Sequence, residues 1–190
     1  MKKRFIAFIL IGILALAFAG CGSSGSESTD NDSSLPEVTS PEDALIVHDV
    51  YHTASGEDWD EYSIVFYGND TETLKGLTIQ TKFDKNAGYT VEYLESLDLD
   101  EVYPGFSKMS FANSYVIDNG DTIDVIVRFM ELDNLDNINA VCDSGVLIRE
   151  DPNSDSLISA RSLMDNFEEE GMEYVPLTDY EGLNLDFNVE

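Results

Sequence analysis

Hydrophobic and polar positions alternate with a period of two in three stretches of the chain. Tyr62, Ile64 and Phe66 fall on one side, Ser63, Val65 and Tyr67 on the other. Leu77, Ile79, Thr81 and Phe83 alternate with Thr78, Gln80 and Lys82, the pattern of a half-buried strand. Ile123, Val125, Val127 and Phe129 alternate with Asp124, Ile126, Arg128 and Met130. A period of two sends successive side chains to opposite faces, so three strands are predicted. Asp118-Asn119-Gly120-Asp121 separates the last of them from a further run, Ser110 to Ile117. Asn-Gly between two strand-like runs predicts a hairpin.

Two other stretches carry helical spacing. Val91, Leu94, Leu97 and Val102 lie near one face of a segment from Thr90 to Tyr103, closed by Pro104-Gly105. Leu157, Ala160, Leu163, Met164 and Phe167 repeat at helical spacing after Asp155-Ser156, which can cap the start. Gly171 then supplies a stop. Glu168, Glu169 and Glu170 sit at the unfavourable end of that helix's dipole. Leu135 to Val141 is ambiguous and reads as a short helical turn. Hairpin strands with helices laid on one face make an α+β fold, a mainly antiparallel sheet in a two-layer sandwich.

The first 43 residues break both patterns. Lys2-Lys3-Arg4 precedes an apolar run from Phe5 to Phe18, followed by Ala19-Gly20 and then Cys21. Fourteen apolar residues rise about 21 Å as a helix, short of a hydrocarbon core of about 30 Å. The segment therefore reads as a secretory signal rather than a span. Phe18-Ala19-Gly20-Cys21 resembles the lipobox of bacterial lipoproteins, with Phe18 where leucine is usual. That resemblance implies cleavage before Cys21 and a diacylglycerol on its thiol, with acyl chains such as palmitate. Two acyl chains, at about 0.8 kcal/mol per buried methylene, make such an anchor stable where one is marginal. Residues 22–43 hold seven serines, six acids and two prolines but only two apolar residues, Leu35 and Val38. Such a stretch cannot bury enough surface to offset its ordering entropy, so a disordered tether is expected, with a reach of about 25 Å. The expected organisation is a signal peptide over 1–20, a lipidated cysteine and tether over 21–43, and one α+β domain over 44–190.

Charge narrows the partners. The chain has 38 acids against 10 bases, and three of those bases lie in the first 20 residues. Cleavage there leaves 7 bases against 38 acids, an excess of 31 negative charges. So acidic a surface repels phosphate backbones and anionic headgroups, which argues against nucleic acid and against electrostatic membrane docking. Two cysteines supply neither a disulfide framework nor a four-cysteine zinc site.

Together these residues resemble the YehR-like family of small bacterial lipoproteins. The likeness runs over most of residues 60–175. It includes Tyr62-Ser63-Ile64-Val65-Phe66-Tyr67-Gly68-Asn69-Asp70 and the helix ending near Tyr103-Pro104-Gly105-Phe106. It continues through the hairpin at Asn119-Gly120 and the pattern Ser156-Leu157…Leu163…Gly171-Met172. The chain departs from it in its acidity and in residues 176–190, which extend past the pattern. The resemblance implies the α+β fold and the anchor, and no activity.

Candidate chemistry is sparse. His48-Asp49-Val50-Tyr51-His52 has the spacing of a helical zinc-protease motif with aspartate for glutamate. Leu45-Ile46-Val47 before it and Tyr51 to Thr53 within it favour a strand, where two histidines four apart stand about 13 Å from each other, too far for one zinc. Cys142 reads as a small buried hydrophobe. Asp133-Asn134-Leu135-Asp136-Asn137 and Asp118-Asn119-Gly120-Asp121 are oxygen-rich but lack calcium-loop spacing. Trp59, in Asp58-Trp59-Asp60-Glu61, reads as a packing residue, with a sugar-stacking platform as the alternative. No nucleophile elbow or Gly-rich phosphate cradle occurs. The sequence therefore assigns Cys21 for lipid attachment and names no catalytic, cofactor or metal residue. Its leading reading is a non-enzymatic surface lipoprotein binding an unknown envelope protein or small ligand. The alternatives are an envelope hydrolase working through acids and a weak divalent-cation binder.

Overall fold

The computed structural model describes residues 46–68, 72–149, 156–185 and 187. The expected signal segment, Cys21, the tether and Asp155 lie outside the described residues. Six strands are present among the described residues: β1 (Val47–Ser55), β2 (Trp59–Tyr67), β3 (Leu74–Asp84), β4 (Ala112–Asp118), β5 (Thr122–Phe129) and β6 (Glu173–Val175). They form one antiparallel sheet in the order β4-β5-β3-β2-β1-β6. Four α-helices accompany them: α1 (Val91–Glu95), α2 (Leu99–Val102), α3 (Leu135–Asp143) and α4 (Ala160–Glu169).

The fold is α+β, as the periodicity predicts. Val65, Tyr67, Leu77, Phe83, Ile123, Val125, Val127 and Phe129 line one face of the sheet. Leu94, Ile138, Val141, Ala160 and Leu163 close over them from the helices. Burying one such large apolar side chain is worth about 1.5–3 kcal/mol, so this layer carries most of the fold.

The hairpin forms, with its glycine in a different place from a central Asn-Gly pair. Asn119 N–H donates to the Thr122 carbonyl at 2.9 Å, leaving Gly120 and Asp121 as the loop. Gly120, at φ 86°, is the first loop residue, the position where a type II′ turn needs a positive φ.

Both predicted helices are shorter than their spacing suggests. The stretch from Thr90 to Tyr103 is two helices. Thr90 Oγ1 accepts from Tyr93 N–H at 3.2 Å and starts α1. Ser96 Oγ then donates to the Tyr93 carbonyl, and Asp98 Oδ1 accepts from Asp100 N–H to start α2. Two capping residues inside one apolar period offer the backbone a closer partner than the next helical turn. The last helix is capped by Ser159 rather than by Asp155-Ser156. Ser159 itself is extended, at φ −73° and ψ 136°, where it bridges to Thr73 and the Ala160 N–H reaches the Glu72 carbonyl. Leu157 is thereby left outside the helix and 46% exposed. Leu135 to Val141 is helical, within α3, with Asn134 Oδ1 accepting from Asp136 and Asn137 N–H.

The second face of the sheet corrects the half-buried reading of β3. Thr78 and Gln80 are buried alongside the apolar side of that strand. The cover comes from the C-terminal stretch, whose Tyr180, Leu183, Leu185 and Phe187 pack over Val50, Ile64 and Phe66. A strap of this kind leaves no periodic signature, because it has neither the helical nor the strand repeat.

Candidate functional site

Two buried polar clusters lie on opposite faces of the sheet. On the helix face, Glu61 of β2 is 2% exposed. Its carboxylate accepts from Thr81 Oγ1 at 3.1 Å and Thr53 Oγ1 at 3.3 Å. Burial pushes its pKa up from 4.5 to about 7, against the lowering effect of those two hydroxyls. Tyr103, also buried, has its phenol raised by burial and then by the nearby Glu61 charge. A carboxyl that holds its proton near neutrality is the property a general acid needs. Glu61 is enclosed by packed side chains, and a substrate would have to open the core to reach it.

On the strap face a polar row interrupts the apolar surface. Strand register aligns Val50 with Ile64, Ile64 with Thr78, and Thr78 with Arg128, and Asn113 follows opposite Arg128. The row therefore runs from apolar to polar across five strands. Arg128, 2% exposed, donates through Nη2 to Asn184 Oδ1 of the strap. Its guanidinium also lies over the Tyr115 ring, 5.2 Å from the centroid, at cation–π distance. Gln80 holds the strap from beneath: Nε2 donates to the Gly182 carbonyl at 2.9 Å, and Oε1 accepts from Asn184 N–H at 2.7 Å. The same Nε2 donates to Asp124 Oδ2 at 2.7 Å, and Asp124 further accepts from Asn119 Nδ2 and Thr122 Oγ1, both at 2.9 Å. The oxygens of buried Asp124 thus have three hydrogen-bond donors, one from β3 and two from the hairpin and β5.

The residues singled out from sequence are placed as follows. His48 and His52 sit on β1, as the strand reading expects. His48 packs between Phe66 and Tyr180, while His52 stacks on Tyr62 and reaches Asp60 Oδ1 at 3.3 Å. Trp59 packs against the helix-face core, its indole lying over Gly56, where an added Cβ would come 2.0 Å from Trp59 Nε1. Cys142 is half-buried rather than buried, because Ile138 and Val141 take the core-facing positions of α3. Burial still raises its thiol. The oxygen-rich stretches serve local structure. Asp118 accepts from Lys85 Nζ at 2.6 Å and from Gly120 N–H at 3.0 Å, and the hydrogen bond from Lys85 holds it below 3.8. Asp133 pairs with Lys75 at 2.7 Å. Among the described residues, no three His, Cys, Asp or Glu side chains converge as metal ligands would.

Sequence reasoning missed both clusters. Glu61 stood inside an acidic run, and Arg128 stood as one polar member of an alternation. The signal that was available is charge on an inward-facing strand position, since Glu61, Asp124 and Arg128 all fall where the period points into the fold.

No protein-family model and no curated protein matches this sequence. Two solved structures are similar to it. One is an NMR structure of a protein from Streptococcus pneumoniae TIGR4, at 13% identity and a TM-score of 0.46, covering 82% of this chain and 100% of that one. The other is an NMR structure of the E. coli YehR protein, at 10% identity and a TM-score of 0.49, covering 75% of this chain and 99% of that one.

Proposed function

We propose that this chain is a lipid-anchored extracytoplasmic binding module, without catalytic activity of its own. It would be held to the membrane through Cys21 and offer residues 44–190 to an envelope protein or a small ligand. The observation that carries the reading is Phe18-Ala19-Gly20-Cys21 behind a basic start and an apolar run too short to span. Among the described residues no helix is long and apolar enough to cross a membrane, so attachment in this reading falls to the lipid. The acid excess supports it, because a domain of one charge sign stays soluble and clear of anionic surface polymers.

The test is fatty-acid labelling of the full chain in a bacterial host, with membrane fractionation. The unaltered chain should incorporate label and sediment with membranes. Cys21→Ser should lose the label and leave that fraction. Label that persists in Cys21→Ser, or an unaltered chain that stays in the cytosol, would overturn the proposal.

A further inference from the structure

The two edges of the sheet are unlike. β6 is three residues long and runs straight into Pro176, which has no N–H to offer. Short strands and proline are among the devices that keep other chains off a sheet edge. β4 has neither. It is seven residues long, Ala112–Asp118, and its register with β5 is continuous, without a bulge. It carries no proline and no lysine, and its single charge, Asp118, lies at the last position. Ser114, near its middle, is exposed.

Hydrogen bonds at the two ends of β4 fix which of its backbone groups turn outward. Met130 N–H donates to the Phe111 carbonyl at 2.9 Å, and Asn119 N–H donates to the Thr122 carbonyl at 2.9 Å. Between those pairs, opposed residues of an antiparallel ladder alternate between bonded and non-bonded positions. Asn113, Tyr115 and Ile117 therefore bond to β5, while Ser114 and Val116 direct their N–H and C=O away from the sheet. Among the described residues, no other backbone group pairs with those four. The two residues stand about 6.8 Å apart along the strand, the interval at which an extended chain presents its own N–H and C=O.

Charge around that edge selects its occupant. Residues 86–121 hold seven acids and one base, Lys108. α1 packs on β4, burying Leu94 and leaving Glu92 and Glu95 exposed. Asp118, at the far end, is already paired with Lys85. A second copy would bring the same acids to the joint, and like charges repel. We infer that the β4 edge takes an extended segment rich in lysine and arginine, belonging to an envelope protein and added to the sheet as a further strand. Backbone hydrogen bonds to Ser114 and Val116 hold the segment, as in other cases of strand addition. Its basic side chains on the helix face lie beside Glu92 and Glu95, and that pairing of opposite charges supplies the selectivity.

The inference rests on the binding-module reading, and its test is separable from that of the anchor. Lipid incorporation reads Cys21, whereas peptide titration reads β4 whether or not the lipid is present. The full chain in neutral detergent is titrated with a blocked peptide alternating lysine and valine, and with its glutamate–valine counterpart, following the backbone amides of Ser114 and Val116. The lysine peptide should bind saturably, about tenfold or more tighter than the glutamate peptide, and should slow hydrogen exchange at both amides. Ser114→Pro removes an outward N–H at an exposed edge position without touching the β5 ladder, and should weaken the lysine peptide about fivefold or more. Glu92→Gln together with Glu95→Gln leaves the edge backbone intact and should cut the preference for lysine about threefold or more. Four results overturn the inference: no saturable binding; a lysine peptide no tighter than the glutamate one; affinity unchanged by Ser114→Pro or preference unchanged by the glutamine pair; or Ser114 and Val116 amides already protected in the peptide-free chain, as when a second copy closes the edge.

Discussion

Replacing Glu61 with glutamine removes a charge that the fold holds away from water while keeping the shape of the side chain. In the folded chain the carboxyl titrates at about 7, and its ordinary value is 4.5. Between those pH values the unfolded chain has released a proton that the folded chain still holds. Stability contributed by this group is therefore fully present below about 4.5, falls as pH rises towards 7, and stays lowered above that. At about 1.36 kcal/mol per pH unit the gap amounts to about 3 kcal/mol. Glutamine does not titrate, so the stability of Glu61→Gln relative to the unaltered chain should rise by about 3 kcal/mol between pH 4 and pH 8. Subtracting the two chains at each pH cancels the contribution of the other acids. Trp59, the single tryptophan, reports unfolding in urea by its fluorescence. With a urea slope of about 2 kcal/mol/M, the gap between the two midpoints should widen by about 1.5 M over that range. A midpoint difference that stays constant with pH would refute the reasoning, since it would mean that the folded and unfolded chains hold the Glu61 proton equally.

Two further substitutions test the packing on either side of the sheet. Gly56→Ala places a Cβ 2.0 Å from Trp59 Nε1 and 2.6 Å from Cε2, so the indole must leave its seat. A cost of about 1–3 kcal/mol and a red-shifted tryptophan emission are expected, and an unchanged spectrum with an unchanged urea midpoint would contradict the packing assigned to Trp59. Gln80→Ala strips the Gly182 carbonyl and the Asn184 N–H of their partner and removes one donor to Asp124. The loss should be about 1–3 kcal/mol, with hydrogen exchange at the Asn184 amide accelerating most, and exchange there at the unaltered rate would show that the strap is held by other contacts.

Most of the strand layer was legible because a period of two reports which side chains share a face. Ile123, Val125, Val127 and Phe129 of β5 show this best, and all four join the helix-face core. The helices were legible as elements but not in their bounds. Thr90, Asp98 and Ser159 decide where they start, and a capping residue competes with the apolar repeat over a distance of one turn. The clusters at Glu61 and Arg128 were not legible, since each depends on partners far away in sequence. Thr81 is 20 residues from Glu61, and Asn184 is 56 from Arg128.

The sequence by itself determined the class of fold, the strand faces and the β4–β5 hairpin, because propensity, alternation and turn chemistry act between near neighbours. Its N-terminal pattern also carries the proposed anchor at Cys21. Tertiary structure alone decided the strand order, the cover on the second face and the row Thr78–Arg128–Asn113. Those depend on register between strands distant in sequence and on a C-terminal strap with no repeat of its own. Periodicity says which way a side chain points, and only the assembled fold says what it meets there.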